Sequence, residues 1–313
     1  MKLSVSLGYW QDRPPEEALA TAIHADRLGY PELWLGEMAT YDAFALATAV
    51  GLRTTQIGLT VGPLAVSVRD PMSIARGAAS VAALTGRRVD VAIGTSSPVV
   101  VSAWHGRDRS RAGRALQESA VVLRQLLDGE KSDFAGSVVS SSGYRLRLAP
   151  PKSSLTIAAF GAGAVKTAAL YGDRLVLNLL TPASAGALVS RFRSESLGPV
   201  AAWLATAVDP APDAIEQLRR GVVPYLAAPG YGEMFIEAGF GSVVRFARTG
   251  PHPRALLDAV PVELVKTVCL LGSADEIRAR IAEYEAAGVA EIALVPSSVD
   301  SDPGGARTLA GLR

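Results

Sequence analysis

Cysteine is nearly absent. Cys269 is alone among 313 residues, so the chain closes no disulfide on itself, which fits a reducing compartment. Histidine is scarce too: His24, His105 and His252 stand at spacings that match no zinc pattern, and no metal site is expected. An excess of charge of one sign is also missing, since 31 Lys and Arg against 30 Asp and Glu leave a net +1. Such a chain has no global field to draw it onto nucleic acid or an anionic membrane. No apolar run reaches the roughly 18 residues of a membrane helix. The opening MKLSVSLGYWQDRPPEE turns polar too soon for a signal peptide, so the expected setting is the cytoplasm. Neither the G-x-S-x-G elbow of hydrolases nor a Walker phosphate loop occurs.

What the chain has is apolar mass and a recurring pattern. Hydrophobic residues make up 49% and charged residues 19%, enough to fill a large core. A short apolar run, a polar or glycine turn, an amphipathic helix and a closing glycine follow one another repeatedly. Strands are expected at Lys2–Leu7, Glu32–Leu35, Ile57–Val61, Val89–Ile93, Leu155–Phe160, Arg174–Leu179, Val200–Val208 and Glu291–Val295. Pro14-Pro15-Glu16-Glu17 opens the first helix, which Gly29 stops, and a second covers Asp42–Arg53. Asp70-Pro71 caps a third that ends at Gly86. Leu116, Ala120, Leu123 and Leu127 lay one apolar stripe along a fourth, Arg109–Asp128. Ser273-Ala274-Asp275-Glu276 is a capping box ahead of Ile277, Ile281 and Tyr284. Two stretches break the pattern. Residues 130–154 read as an excursion with a hairpin of Ser137–Ser140 against Tyr144–Leu148, and 209–270 as an irregular Pro/Gly-rich region. Eight strands alternating with helices predict one α/β domain over 1–313, a (β/α)8 TIM barrel with insertions after the fourth helix and between strands 7 and 8. A doubly wound open sheet is the alternative.

A barrel of this kind carries its site on the loops that follow the strands. That rule selects Gly8, Tyr9 and Trp10; Gly36, Glu37 and Met38; Val61, Gly62 and Pro63; Gly94, Thr95, Ser96 and Ser97; Gly161, Ala162, Gly163 and Ala164; then Asn178, Asp209 and Ser297. The segment AAFGAGAVKTAA is the best anion site, because small residues let backbone N–H groups approach a phosphate at a helix start. It is not a full dinucleotide fingerprint, since Lys166 takes the third glycine position, and it also reads as a plain strand-to-helix turn. VAIGTSSP offers close backbone approach and hydroxyls, or an ordinary capped turn. Glu37 is placed to hydrogen-bond a heterocycle or to face solvent at a helix entry. Gly62-Pro63 is a candidate cis bond. The Arg107–Arg114 cluster suits either an acidic ligand or a solvated face, and His105 either acid–base chemistry or a surface role.

Three segments together resemble the luciferase-like oxidoreductases. ALATAIHADRLGYPELWLGE is similar to that family's first helix and acid-ended second strand. RDPMSIARGAASVAALTGRRVDVAIGT resembles its Arg-x-Pro, Ala-rich helix, Gly-Arg and strand ending in glycine. AAFGAGAVKTAALYGDRLVLN resembles its strand 5, phosphate turn, helix and strand 6. The blocks keep family order and span about residues 2–180. Within the family the chain looks most like the coenzyme F420-dependent branch. The resemblance implies a barrel that is commonly a homodimer, with a deazaflavin bound at the C-terminal strand ends and a hydride passing between it and a small organic substrate. It implies Glu37 at the ring's polar edge and as the catalytic candidate, with Gly8 nearby. Val61, Gly62 and Pro63 then support the ring from a strand-3 bulge, and Gly94, Thr95 and Ser96 line the ring or ribityl chain. Gly161, Ala162, Gly163 and Ala164 hold the phosphate. Tyr9, Trp10, Met38, Tyr41 and Trp104 form an apolar substrate wall. One departure matters: Met38 stands where several relatives carry an acid–base histidine, and methionine transfers no proton. Ser97 likewise replaces an acid found in some relatives. FMN, with a monooxygenase activity, is the alternative cofactor, because it needs the same phosphate turn. A non-catalytic cofactor binder and a sugar-phosphate enzyme are the remaining readings.

Overall fold

The computed structural model describes every residue of the chain except Tyr9 and Gln11. Its centre is eight parallel strands: β1 Lys2–Ser6, β2 Glu32–Leu35, β3 Gly58–Ala65, β4 Val89–Gly94, β5 Leu155–Ala158, β6 Arg174–Asn178, β7 Val200–Val208 and β8 Glu291–Pro296. Each pairs with the next, and β8 returns to β1 through Lys2↔Glu291 to Val5↔Leu294. The sheet is therefore closed, and the chain forms the (β/α)8 barrel rather than the open alternative. Helices α1 Glu17–Arg27, α2 Ala43–Arg53, α3 Pro71–Thr85, α4 Ala112–Leu127, α5 Ala162–Tyr171 and α6 Pro182–Arg193 fill the successive crossovers. Between β7 and β8 come α7 Pro212–Val222 and, after an insertion, α8 Ala274–Ala286. Among the described residues, no helix is long and apolar enough to cross a membrane.

The two-residue period of the strands separates two cores. Val5, Leu33, Leu35, Val91, Ile93, Ile157, Leu175 and Leu177 pack outward in the large cluster that includes the helices. Trp34, Ala92, Val176, Ala201 and Ala293, with Ala158 and Trp203 against them, fill the lumen. Below them the N-terminal strand ends carry charge. Arg174 donates to Glu32 at 2.7 Å, to Glu291 at 2.9 Å and to Thr156 Oγ1 at 3.0 Å, and its guanidinium lies 4.1 Å from the Trp34 ring. Trp34 meets Trp203 edge-on at 5.6 Å. Burial opposes ionisation of Glu32, but Arg174 and Lys2 outweigh it and bring the carboxyl down to about 2. The charged layer and the two indoles fill the barrel from its N-terminal end.

The local signals behave as their chemistry requires. Asp70 caps α3 by accepting the Ser73 N–H at 2.8 Å, and Gly86 closes that helix at φ 68°. The Leu116, Ala120, Leu123 and Leu127 stripe is fully buried, and Ser273 and Glu276 make the capping box. Three expectations need correction. Strand 3 does not stop at Val61: it continues to Ala65 through a register shift between Val61 and Leu64. The hairpin pairs Ser132–Ala135 with Ser140–Tyr144, not Ser137–Ser140 with Tyr144–Leu148. Buried Glu118 of α4 accepts the backbone N–H groups of Ser137, Val138 and Val139, which makes those residues the turn rather than a strand. The region 209–270 is largely helical, with Tyr231–Phe235, Gly241–Arg248, Pro253–Asp258 and Val262–Val268 following α7.

Candidate active site

Two bare backbone surfaces meet at the ends of β3 and β4. The Gly62–Pro63 bond is cis, and Gly62 has φ 121°, where a Cβ would lie 2.1 Å from the Ala92 carbonyl oxygen. Only glycine fits there. A Cβ on Gly94 would sit 3.2 Å from Ala158 Cβ and 3.7 Å from Pro63 Cβ. Gly62, Pro63 and Gly94 thus lie side by side, with Thr95 and Ser96 following, whereas Val61 is fully buried in the outer core between strands and helices. Ser96 holds φ 55°, and its carbonyl accepts from Arg109 at 2.7 Å. The Arg107–Arg114 cluster is therefore partly spent on structure.

Glu37, on the loop after β2, does not stand free. Arg69 donates to both its oxygens, from Nε at 2.6 Å and from Nη2, and also reaches Asp42, the N-cap of α2. The hydrogen bonds to Glu37, more than the counteracting burial, hold the guanidinium above its ordinary range. The Ala43 N–H lies 3.4 Å from the same carboxylate. Sequence reasoning did not select Arg69, although it is the arginine of the Arg-x-Pro signal. Met38, Tyr41 and Trp104, at 39%, 42% and 46% exposure, stand on this rim with large apolar surface open to solvent. Trp104 ends a wide helical turn, Val99–Trp104, after β4. Trp10 Nε1 donates to the Pro296 carbonyl at 2.9 Å, and the indole covers Gly8. These two line a crevice of about 30 Å³ beside α1, room for about one water and not for a ligand. Tyr9 lies outside the described residues.

Gly161 is the N-cap of α5, in extended backbone (φ −82°, ψ 158°) with no side-chain cap. Nothing lies within 4 Å of where a Cβ on Gly161 or Gly163 would be. The first N–H groups of α5, at Ala162, Gly163 and Ala164, therefore face open space at the positive end of the helix. This cradle fits a phosphate. Next to it stands an aromatic group. Phe160 stacks on Tyr231 at 4.3 Å, Tyr231 meets Tyr225 edge-on at 4.8 Å, and Tyr231 Oη donates to the Asn178 carbonyl at 2.9 Å. Both tyrosines come from the insertion after β7, where irregular sequence hid them. The histidines are dispersed: His24 contacts the Ala306 carbonyl from α1, His252 caps Pro253–Asp258, and His105 is exposed after Trp104.

The sequence pattern of the luciferase-like monooxygenase family matches residues 2–291. A Mycobacterium tuberculosis protein named as a coenzyme F420-dependent oxidoreductase is 25% identical, with 96% of each chain covered. The structure of a coenzyme F420-dependent tetrahydromethanopterin reductase from Methanopyrus kandleri superposes with a TM-score of 0.83 at 19% identity, covering 99% of this chain and 98% of that one. An FMN complex of a type II Baeyer–Villiger monooxygenase from Pseudomonas putida superposes at 0.72 with 15% identity, covering 99% and 96%. The last two likenesses bear on the fold. The match over 2–291 identifies the chain as a member of the luciferase-like monooxygenase family.

Proposed function

We propose that this chain is a coenzyme F420-dependent oxidoreductase acting on a small, uncharged, apolar substrate. The observation that carries the reading is the open, uncapped start of α5 beside the glycine wall of β3 and β4. Gly161, Ala162, Gly163 and Ala164 hold the cofactor phosphate through backbone N–H groups. Gly62 and Pro63 support the ring, with buried Val61 fixing the strand behind them, and Gly94, Thr95 and Ser96 line its side. Glu37 and Arg69 present a fixed donor and acceptor pair toward the ring's polar edge. With both oxygens held by Arg69, Glu37 serves better as an orienting group than as a proton donor. When bound, the deazaflavin supplies the hydride chemistry, and the protein orients it, tunes it and excludes water. Met38, Tyr41 and Trp104, with large apolar surface open at the rim, make the substrate wall. We assign the working form to a cytoplasmic homodimer.

FMN, with monooxygenase chemistry, is the second reading, because the same cradle serves its phosphate and an FMN-binding neighbour shares the fold. Parallel fluorescence and calorimetric titrations of the purified protein with F420 and FMN separate the two. Preference for F420 is the expected result. Preference for FMN, with oxygen consumption once reduced FMN and substrate are added, replaces it; binding of neither removes both.

A further inference from the structure

Reduction of a polarised double bond needs a proton donor as well as a hydride, and Met38 provides none. A donor stands on the far side of the mouth. Strands four apart face each other across an eight-stranded barrel, so β6 lies opposite β2. Arg174 and Val176 of β6 point into the lumen, and the two-residue period directs Asn178, the last residue of β6, the same way. Asn178 Nδ2 donates to Tyr225 Oη at 3.3 Å. Tyr225 closes the short turn Val223–Tyr225 that follows α7. Its ring is fixed by the Tyr231 and Phe160 stack described above. Because its oxygen accepts from Asn178, its own proton is directed elsewhere, and no acceptor for it occurs among the described residues. Burial pushes the phenol up, against a smaller opposing effect of Asn178, so the proton stays on at neutral pH. The side chain is nevertheless only partly buried.

We propose that the Tyr225 hydroxyl donates a hydrogen bond to the carbonyl oxygen of an uncharged, apolar substrate, and is the proton source that the β2 loop lacks. This rests on the oxidoreductase reading above. In the reducing direction, the carbonyl carbon gains a hydride from the reduced deazaflavin, which is thereby oxidised. The oxygen gains the phenolic proton, an alcohol forms, and water returns a proton to the phenolate. Asn178 is a positioning residue, holding the phenol so that its proton faces the mouth.

The test measures binding without turnover. Wild type, Tyr225→Phe and Asn178→Ala are loaded with oxidised F420, then titrated with cyclohexanone and with methylenecyclohexane, a near-isostere lacking the oxygen, following cofactor fluorescence. One neutral hydrogen bond corresponds to about 3- to 10-fold in Kd. Tyr225→Phe loses that factor for the ketone alone, keeps its affinity for the hydrocarbon and for F420, and Asn178→Ala shows a smaller loss of the same kind. Equal losses for both probes, unchanged ketone affinity, or a wild type that binds no ketone each overturn the assignment. If Tyr225→Phe fails to fold by circular dichroism, Asn178→Ala decides by the same criterion. Failure of wild type to bind F420 at all sinks the oxidoreductase reading instead, and this assignment with it.

Discussion

Gly161→Asp separates binding from folding at the proposed phosphate site. Gly161 already has the extended backbone of an N-cap residue, and no atom lies within 4 Å of the new Cβ. Aspartate is among the best N-cap residues and glycine only somewhat worse, so stability should hold or rise by a few tenths of a kcal/mol. The new carboxylate, however, takes the first N–H groups of α5 for itself and puts a negative charge beside the phosphate. Two unit charges about 5 Å apart repel by about 3 kcal/mol at an effective dielectric constant near 20, and by about 1 kcal/mol in bulk water. The site is open, so the cost lies between these values, roughly 5- to 150-fold in Kd. Cofactor titration of the variant at low salt reads this directly, and the penalty should shrink at 1 M salt, where screening acts within about 3 Å. A folded variant with an unchanged melting temperature and unchanged affinity for both F420 and FMN would refute the placement of the phosphate at α5.

Two further outcomes follow from the structure. Gly62→Ala sets a Cβ against the Ala92 carbonyl oxygen at a backbone conformation that side chains rarely adopt, so it should cost about 2–4 kcal/mol in urea unfolding; a cost under about 1 kcal/mol would mean that the wall relaxes easily. Arg174→Met leaves Glu32 and Glu291 without their buried partner and should cost about 3–5 kcal/mol at pH 7. Because Glu32 is held down to about 2 in the folded chain, its contribution is full above the ordinary glutamate range near 4.3 and is lost as pH falls toward 2. Wild-type stability should therefore drop across that window and the variant's should drop less, as unfolding midpoints measured from pH 7 to pH 2 would reveal.

The elements legible in the sequence are those whose cause is local. Asp70-Pro71, Gly86 and the Ser273 capping box mark helix ends through contacts within a few residues, and the α4 stripe records its own burial. The turn into α5 at Gly161 and the glycines that end β3 and β4 are likewise local, because small residues leave backbone bare. What was not legible depends on partners far along the chain. The hairpin was misplaced because Glu118, some twenty positions earlier, decides where it turns. Glu37 reads in the sequence as a group for a heterocycle or for solvent, because its partner Arg69 lies 32 positions away. Tyr225 and Tyr231 lay in a stretch with no clear period, and only the fold brings them to Asn178 and Phe160.

The same distinction explains why the two ends of the barrel differ. At the N-terminal end Lys2, Glu32, Arg174, Glu291 and Thr60 satisfy one another, and every charge of that network has a partner. A layer so fully paired has no donor or acceptor left for a ligand, and removing one member leaves the others buried and uncompensated. At the C-terminal end the pairing is incomplete. The α5 N–H groups have no cap, and the Tyr225 proton has no acceptor among the described residues. Unpaired donors at an open mouth are solvated by water until a ligand replaces that water, and their geometry is set beforehand by the strands beneath. The residues that hold the barrel together and those proposed to bind the cofactor are thus segregated along the strand axis, so a substitution in the charged layer should change unfolding without changing cofactor selectivity.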